Sequence, residues 1–202
     1  LRSLLCLSIA FLCSFSPLKE KKTIIFFGDS LTAGMGLSKE QAFPSIIESI
    51  LIQKGNDVEV INAGLSGETS AGGLSRVDWI LRKPVDIFVL ELGANDALRG
   101  LPLDQTKQNL QGIIDKVRKK NPQTEIIIAG MMAPPNLGQQ YTNEFRDVFA
   151  SIAQENELVL IPFILQDVAG HADLNLPDGI HPNIEGHKIV ANNILKYFEQ
   201  LL

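Results

Sequence analysis

Asp178 and His181 are the pair of reactive side chains in this sequence that most strongly indicates catalysis. An Asp and a His three residues apart can meet on one turn, so the carboxylate can hold the imidazole in the orientation of a general base. Pro182 disfavours helical backbone at His181 and helps to aim its ring away from the following segment. The other two histidines, His171 and His187, have no carboxylate at so favourable a spacing.

A serine that could act as nucleophile lies in the segment Gly28–Thr32, directly after an apolar run. At a strand-to-helix turn, the hydroxyl of Ser30 would project into a crevice, and the helix N-terminus would present N–H groups to developing negative charge. For this segment alone, helix capping by Asp29 or Ser30 is the competing interpretation. The G-x-S-x-G elbow of α/β-hydrolases is absent, because Thr32 occupies the last glycine position.

Two further loops each offer a donor to an oxyanion. Gly64 lies in the segment Asn62–Thr69, where the lack of a Cβ lets a backbone N–H face a substrate carbonyl. Asn95 follows Gly93 after the next apolar run, and its side-chain amide can donate a hydrogen bond. An ordinary turn explains either segment alone. Taken in chain order with the serine loop and the Asp–His pair, these loops predict an acyl-transfer site.

The elements that position these residues follow from an alternation of apolar runs and amphipathic stretches. Strands are predicted over Thr23–Phe27, Val58–Ile61, Asp86–Leu90, Glu125–Ala129 and Leu158–Ile161, and helices over Phe43–Gln53, Leu74–Leu81, Leu103–Lys119, Asn143–Gln154 and Ile184–Leu202, with Asp104 and Asn183 as N-caps. This order predicts an α/β fold, with a parallel sheet covered by helices on both faces. In such sheets the site forms beyond the carboxyl ends of the strands, where the candidate loops lie.

Length and composition fit one enzyme-sized domain. The 202 residues leave little room for a second core, and we expect residues 19–202 to form a single domain. The net charge is −5 and the longest basic run, Lys116–Lys120, resembles the polar end of a helix, so the sequence argues against a nucleic-acid partner. A metal site built from two histidines with Asp173 or Asp178 lacks a known ligand spacing, so we expect no metal.

Residues 1–18 differ from the rest of the chain. Arg2 precedes an apolar run, Leu4–Phe15, and charged residues follow Pro17. This pattern predicts a cleaved signal peptide and a secreted or periplasmic protein, with a membrane anchor or buried strand as alternatives. Both cysteines lie in this segment, so cleavage would leave no disulfide, thiol nucleophile or thiolate metal site. Phe11 and Leu12 before Cys13 argue against a lipid-anchored form.

The four segments together resemble the SGNH/GDSL hydrolases. Gly28–Leu31 matches the block that names the family, and Gly64, Gly93-x-Asn95-Asp96 and Asp178-x-x-His181 match the other blocks in order. The bacterial periplasmic thioesterase I / lysophospholipase L1 and arylesterase subgroup is the most similar. The resemblance covers nearly all of the chain after the leader. It implies a three-layer α/β/α sandwich with a mainly parallel five-stranded sheet, as in flavodoxin-like folds.

The resemblance also implies the chemistry. Ser30 would attack the acyl carbonyl, with His181 as base and Asp178 orienting it, and Ser30, Gly64 and Asn95 would form the oxyanion hole. No cofactor is implied. Apolar loop residues that could flank an acyl chain are Leu65, Leu98 and Leu137, with ordinary loop packing as the alternative.

The expected substrates are acyl esters, thioesters or lysophospholipids. Two other functions stay open on the same scaffold. A carbohydrate acetylesterase would need aromatic side chains on which a sugar can stack, and Trp79 and Tyr141 are the obvious candidates. A non-catalytic secreted binding protein would keep the fold and lose the reaction.

Overall fold

The computed structural model describes residues 21–198 and 201–202. In this part of the chain, a five-stranded parallel sheet has the order β2-β1-β3-β4-β5. The strands are β1 Lys22–Gly28, β2 Val58–Gly64, β3 Ile87–Glu91, β4 Glu125–Ala129 and β5 Val159–Ile161. The predicted leader, residues 1–18, lies outside the described residues. The predicted α/β class and five-stranded parallel sheet are confirmed.

Helices cover both faces of this sheet. They are α1 Ser30–Ala33, α2 Phe43–Gln53, α3 Ser70–Ile80, α4 Ala94–Leu98, α5 Leu103–Lys120, α6 Gln139–Asn156 and α7 Ile184–Leu195, with short 3₁₀ turns at Lys39–Gln41, Pro135–Leu137 and Ala172–Leu174. Helix α2 packs on α7, whereas α3, α5 and α6 pack in succession on the other side. Within the described part of the chain, no helix is both long enough and apolar enough to cross a bilayer.

Successive residues of β1 show how one strand packs against the helices on one face of the sheet and the side chains on the other. The side chain of Phe26 meets the ring of Phe43 from α2 edge-on, with centroids 5.4 Å apart. The next side chain, Phe27, points to the opposite face and lies 5.5 Å from Phe88. Residues 24–27 are all buried, as expected for a central strand of a parallel sheet.

Three helices differ from their predicted bounds, and one predicted cap is wrong. Helix α6 spans Gln139–Asn156 rather than the predicted Asn143–Gln154. Helix α3 begins four residues before Leu74, because the Thr69 side chain caps it by accepting from Gly72 N. The prediction of Asp104 as N-cap is wrong, because Pro102 holds the cap position and Asp104 lies in the first turn of α5. Helix α7 ends at Leu195, well before Leu202. Its predicted cap, Asn183, is confirmed by bonds from Glu185 N and Gly186 N.

The strand order places the candidate loops together. Strands β2 and β3 flank β1 on opposite sides, so the chain order reverses beside β1. In doubly wound sheets the crevice for a ligand opens at such a switch point. Ser30 follows β1 and Asn95 follows β3, and both therefore lie at this crevice.

Candidate active site

Ser30 is the first residue of a one-turn helix at the carboxyl end of β1. Asp29 is its N-cap and accepts a hydrogen bond from Leu31 N at 3.0 Å. Gly34, with φ of 75°, ends the helix after one turn. This tight turn holds Ser30 at the carboxyl end of the sheet. Its backbone N–H is one of the N–H groups at the start of a helix that have no partner within the helix.

A continuous hydrogen-bonded chain joins Ser30, His181 and Asp178. His181 Nε2 lies 2.9 Å from Ser30 Oγ, and His181 Nδ1 lies 2.8 Å from Asp178 Oδ2. With Nδ1 protonated, the ring donates to the carboxylate and its Nε2 accepts from the serine hydroxyl. The residues predicted as nucleophile, base and orienting acid are thus in hydrogen-bond contact, although 151 positions separate the serine from the histidine.

The Asp178 carboxylate is held in its ionised form. Its Oδ1 accepts from the backbone N–H groups of His181 and Ile180, at 3.0 and 2.9 Å. These two bonds, followed by the bond from the imidazole, lower the pKa of Asp178 to about 2. A group that stays negative at all working pH values can stabilise the imidazolium that forms when the histidine takes a proton.

The loop that carries the Asp–His pair is braced at both ends. Leu176 N donates to His181 O at 2.7 Å, and Gly179 N donates to Leu176 O at 2.9 Å. Gly179 has φ of 72°, a conformation that glycine adopts without strain. At the base of the loop, Asn175 pairs with Pro182 in an antiparallel bridge. These bonds fix the ring position relative to β1.

Asn95, in the first turn of α4, is anchored by Asp29. Its Nδ2 donates to Asp29 Oδ2 at 3.1 Å, which uses one of the two amide hydrogens. The other hydrogen remains for a ligand in the crevice. Burial raises the pKa of Asp29 from 3.8 to about 6, so this carboxyl is mainly ionised at neutral pH and able to accept from Asn95.

Glu91, the last residue of β3, is a second buried acid that sequence reasoning missed. Its Oε2 accepts from Asp29 N at 3.2 Å and from Thr32 Oγ1 at 2.8 Å. A Cβ at Gly28 would lie only 2.4 Å from Oε2, so the glycine makes room for this carboxyl. Burial, followed by the charge of Asp29, holds the pKa of Glu91 well above its usual range. The sequence signal that could have identified Glu91 is an acidic residue at the end of an otherwise apolar strand.

The glycine that ends β2 and the glycine in the loop after it have different environments. Gly64 N donates to Asn62 Oδ1 at 3.0 Å, and a Cβ at Gly64 would meet Ala33 N at 2.2 Å. Gly64 therefore permits close contact between β2 and α1, and its N–H is engaged. Gly67 has φ of 79°, its carbonyl accepts from Arg99 at 2.7 Å, and its N–H has no acceptor within the described residues.

Arg76 of α3 ties the ends of β1 and β2 together and was also missed. Its guanidinium donates to Ala63 O at 2.7 Å, reaches Gly28 O at 3.5 Å and pairs with Glu68. It also lies 4.1 Å above the ring centroid of Phe27. The glycine of the serine loop and the loop after β2 are thus held by one side chain.

Asp96, the neighbour of Asn95, fixes α4 to two other helices. It accepts from the backbone N–H of Ser70 at 2.8 Å and from the Ser70 hydroxyl, and Thr106 Oγ1 lies 3.3 Å away. It is buried and points away from the crevice towards α3 and α5. These contacts agree with a role for Asp96 in holding the loop rather than in chemistry.

A cavity of about 190 Å³ opens directly over the serine. Its polar members include Ser30, Asn95 and His181, and the rest of its wall is mostly apolar, comprising Leu31, Ala94, Ala97, Leu98, Met131, Met132, Pro134, Leu165 and Ile180. Leu98, predicted to flank an acyl chain, lies in this wall. Leu65 and Leu137 do not, because they project from the neighbouring loops.

The arrangement is suited to nucleophilic attack followed by proton transfer. A hydroxyl, its base and an orienting carboxylate are in line, and an anchored amide faces the same cavity. Within the described residues, no group of three or more His, Cys, Asp or Glu side chains is placed to hold a metal ion.

Comparison with known proteins gives one family. The model of the GDSL-like lipase/acylhydrolase family matches residues 26–189. Esterase TesA of Pseudomonas aeruginosa is 35% identical over 183 residues, 90% of either chain. Thioesterase 1/protease 1/lysophospholipase L1 of Escherichia coli K12 is 33% identical, over 89% of this chain and 85% of the relative. A crystal structure of TesA superposes with a TM-score of 0.86 at 34% identity, covering 90% of this chain and all of the other.

Proposed function

This chain belongs to the GDSL-like lipase/acylhydrolase family and is an enzyme of its esterase/lipase type, and from that premise we propose that it hydrolyses carboxylic esters or thioesters through Ser30, His181 and Asp178. The observation that carries this assignment is the hydrogen-bonded chain from Ser30 Oγ through the imidazole to Asp178. A serine that merely begins a helix would not be expected to contact a histidine that a carboxylate holds from its other side.

In the proposed reaction, Ser30 Oγ attacks the acyl carbon while its proton passes to His181 Nε2. Asp178 stabilises the resulting imidazolium through Nδ1. Collapse of the tetrahedral intermediate breaks the bond to the leaving oxygen or sulfur, which takes the proton from Nε2. A water molecule then attacks the acyl-enzyme, again giving its proton to His181, and Ser30 leaves with that proton as the carboxylic acid is released.

The oxyanion in this proposal is held by three N–H donors. Two are the backbone of Ser30 and the side chain of Asn95, as the sequence predicts. For the third, Gly64 is the sequence candidate, but its N–H already donates to Asn62. We favour Gly67, three residues later in the loop after β2, since its N–H is unengaged within the described residues and its carbonyl accepts a hydrogen bond from Arg99 at the end of α4.

The substrate class follows from the cavity wall. Its apolar side chains, Leu98 among them, suit an acyl chain, and no Phe, Tyr or Trp is among the residues that line it. Trp79 and Tyr141, the candidate platforms for a sugar, lie outside it, so nothing specific favours a carbohydrate acetylesterase. Esters, thioesters and lysophospholipids with apolar acyl groups are the proposed substrates. Leu65 and Leu137 stay predictions as outer contacts.

The test is hydrolysis of p-nitrophenyl esters and acyl thioesters over a range of acyl lengths by wild type and Ser30→Ala. Ser49→Ala, which removes an exposed hydroxyl on α2, is the matched control. We expect activity in wild type and Ser49→Ala and its loss, by about 10⁶ in kcat, in Ser30→Ala. Equal hydrolysis by Ser30→Ala would exclude the assignment.

Export is a further part of the proposal. A leader over residues 1–18, followed by one hydrolase domain over residues 19–202, would place the enzyme in the periplasm or outside the cell. Its support is the basic start, the apolar run Leu4–Phe15 and the charged stretch after Pro17. N-terminal sequencing of the protein recovered from a secreting host should show cleavage near residue 18, and an intact N-terminus would contradict it.

A further inference from the structure

A second, larger cavity adjoins the one over the serine. Its volume is about 590 Å³, against about 190 Å³ for the catalytic cavity. The two share four side chains as a common wall, which are Met132, Pro134, Leu165 and Ile180. Ile180 and Met132 are about half exposed, so a ligand in one cavity can extend over this wall into the other.

The second cavity is built for uncharged, apolar groups. Phe163, Leu165 and Ala169 line it, and no ionisable side chain does. Of its two polar side chains, Asn175 donates its amide to backbone carbonyls, and the Thr142 hydroxyl donates to Gly138 O. An anionic or zwitterionic group placed here would find no charged side chain as a partner.

The position of His181 decides which part of a substrate reaches this cavity. In acyl transfer, Nε2 must return its proton to the leaving atom, so the leaving group departs on the histidine side of the carbonyl. His181 lines the first cavity, Ile180 lines both, and Gly179, two residues before the histidine, lines only the second. Asn95 and Leu98 of α4 line only the first. The acyl chain thus falls on the α4 side and the leaving group beyond the histidine loop.

We propose that the second cavity is the leaving-group subsite, and that it selects esters and thioesters of uncharged, apolar alcohols or thiols with an alkyl or aryl body. This rests on the proposed function and narrows it. Among acyl substrates, the subsite favours neutral hydrophobic leaving groups over highly charged ones such as phosphate-bearing headgroups.

The experiment compares butyrate esters of two alcohols of similar acidity, ethanol and 3-phenylpropanol. Because both give the same butyryl-enzyme, differences in leaving-group binding appear in kcat/KM, whereas a kcat limited by deacylation stays common to both. Wild type should prefer the phenylpropyl ester by about tenfold or more in kcat/KM, as for a filled hydrophobic pocket.

Ala169→Phe tests the site itself, because Ala169 is exposed in the cavity wall and a ring there fills the space. It should remove the preference, lowering kcat/KM for the phenylpropyl ester by about tenfold or more relative to that for ethyl butyrate. Ala150→Phe, the same change at an exposed position of α6, is the control and should behave as wild type. Ala169→Val, a smaller filling of the same wall, should reduce the preference partially and serves if the phenylalanine variant does not fold.

Two results would overturn the assignment. If Ala169→Phe instead impairs ethyl octanoate relative to ethyl butyrate, the cavity holds the acyl chain. If wild type shows no preference between the two butyrate esters, the cavity binds neither alcohol. Failure of the proposed function would give a different result, because Ser30→Ala would then hydrolyse ethyl butyrate as fast as wild type does.

Discussion

Replacing Asp29 by Asn should reduce kcat by about 10²–10³, the cost of one oxyanion donor, although Asp29 is not itself a donor in the proposed mechanism. Asp29 Oδ1 accepts from Leu31 N, and Oδ2 accepts from Asn95 Nδ2 at 3.1 Å. In the variant, the new amide keeps its oxygen on Leu31 and places an NH₂ group where Oδ2 was. Two NH₂ groups then face each other, so the Asn95 amide must turn over. Its oxygen, rather than a hydrogen, then lies towards the oxyanion.

The same substitution should increase stability above pH 6. Burial raises the pKa of Asp29 from 3.8 to about 6, which means that the folded protein disfavours the ionised carboxylate. The difference corresponds to about 3 kcal/mol. This cost is complete above pH 6, declines as the pH falls towards 3.8 and is absent below it. At pH 8, an uncharged amide therefore gains up to about 3 kcal/mol in the free energy of unfolding. Lower activity with higher stability is not the signature of a damaged fold.

The assay pairs kcat for p-nitrophenyl butyrate with urea unfolding at pH 8. Asn95→Ala serves as the reference for loss of the donor, and the double variant tests the coupling. If Asp29 acts only through Asn95, the double variant should be no slower than Asn95→Ala alone. Fully additive losses, or an Asp29→Asn variant with wild-type kcat, would refute the reasoning.

Three other perturbations probe separate parts of the structure. Asp178→Asn should lower kcat by about 10⁴ by favouring the wrong tautomer of His181, with little change in Tm because Asp178 is partly exposed; a loss below tenfold would contradict its role. Burial lowers the pKa of His187 from 6.5 to about 4. The contribution of neutral His187 to the free energy of unfolding is therefore complete above pH 6.5 and declines as the pH falls towards 4. The stability difference between wild type and His187→Gln in urea titrations should therefore shrink by about 2 kcal/mol from pH 7.5 to pH 5, and a constant difference would disprove this. Arg76→Met should cost about 3–5 kcal/mol in the free energy of unfolding by leaving buried Glu68 unpaired, and adding Glu68→Gln should restore much of it.

The parts of the fold that could be predicted are those with a local signal. Strand β4 begins at Glu125 and ends at Ala129 as predicted, because a short run of isoleucines between a polar residue and Gly130 indicates a buried strand. The loops of Ser30 and Asn95 could be placed at one edge because parallel strands share the direction of their carboxyl ends. Helix α2 also matches its predicted bounds.

The parts that escaped prediction depend on contacts between distant residues. Glu91 is a partner of the serine loop only because β3 pairs with β1, 62 positions away from Asp29. Arg76 looks like one exposed helical cation until α3 packs over the ends of two strands. The engagement of the Gly64 N–H by Asn62 is a matter of side-chain geometry that spacing does not contain. The shape of the cavity also escaped prediction, because four loops assemble it.

The most direct test of the central claim is covalent labelling of the folded protein with a fluorophosphonate, followed by peptide mapping. An activated serine in contact with a base reacts with this reagent, whereas an ordinary helix-capping serine does not. We predict one adduct per chain, on Ser30, with parallel loss of esterase activity and no labelling of Ser30→Ala or of the urea-unfolded protein. Failure of the folded wild type to label, or full labelling of Ser30→Ala, would contradict the assignment of Ser30 as the nucleophile.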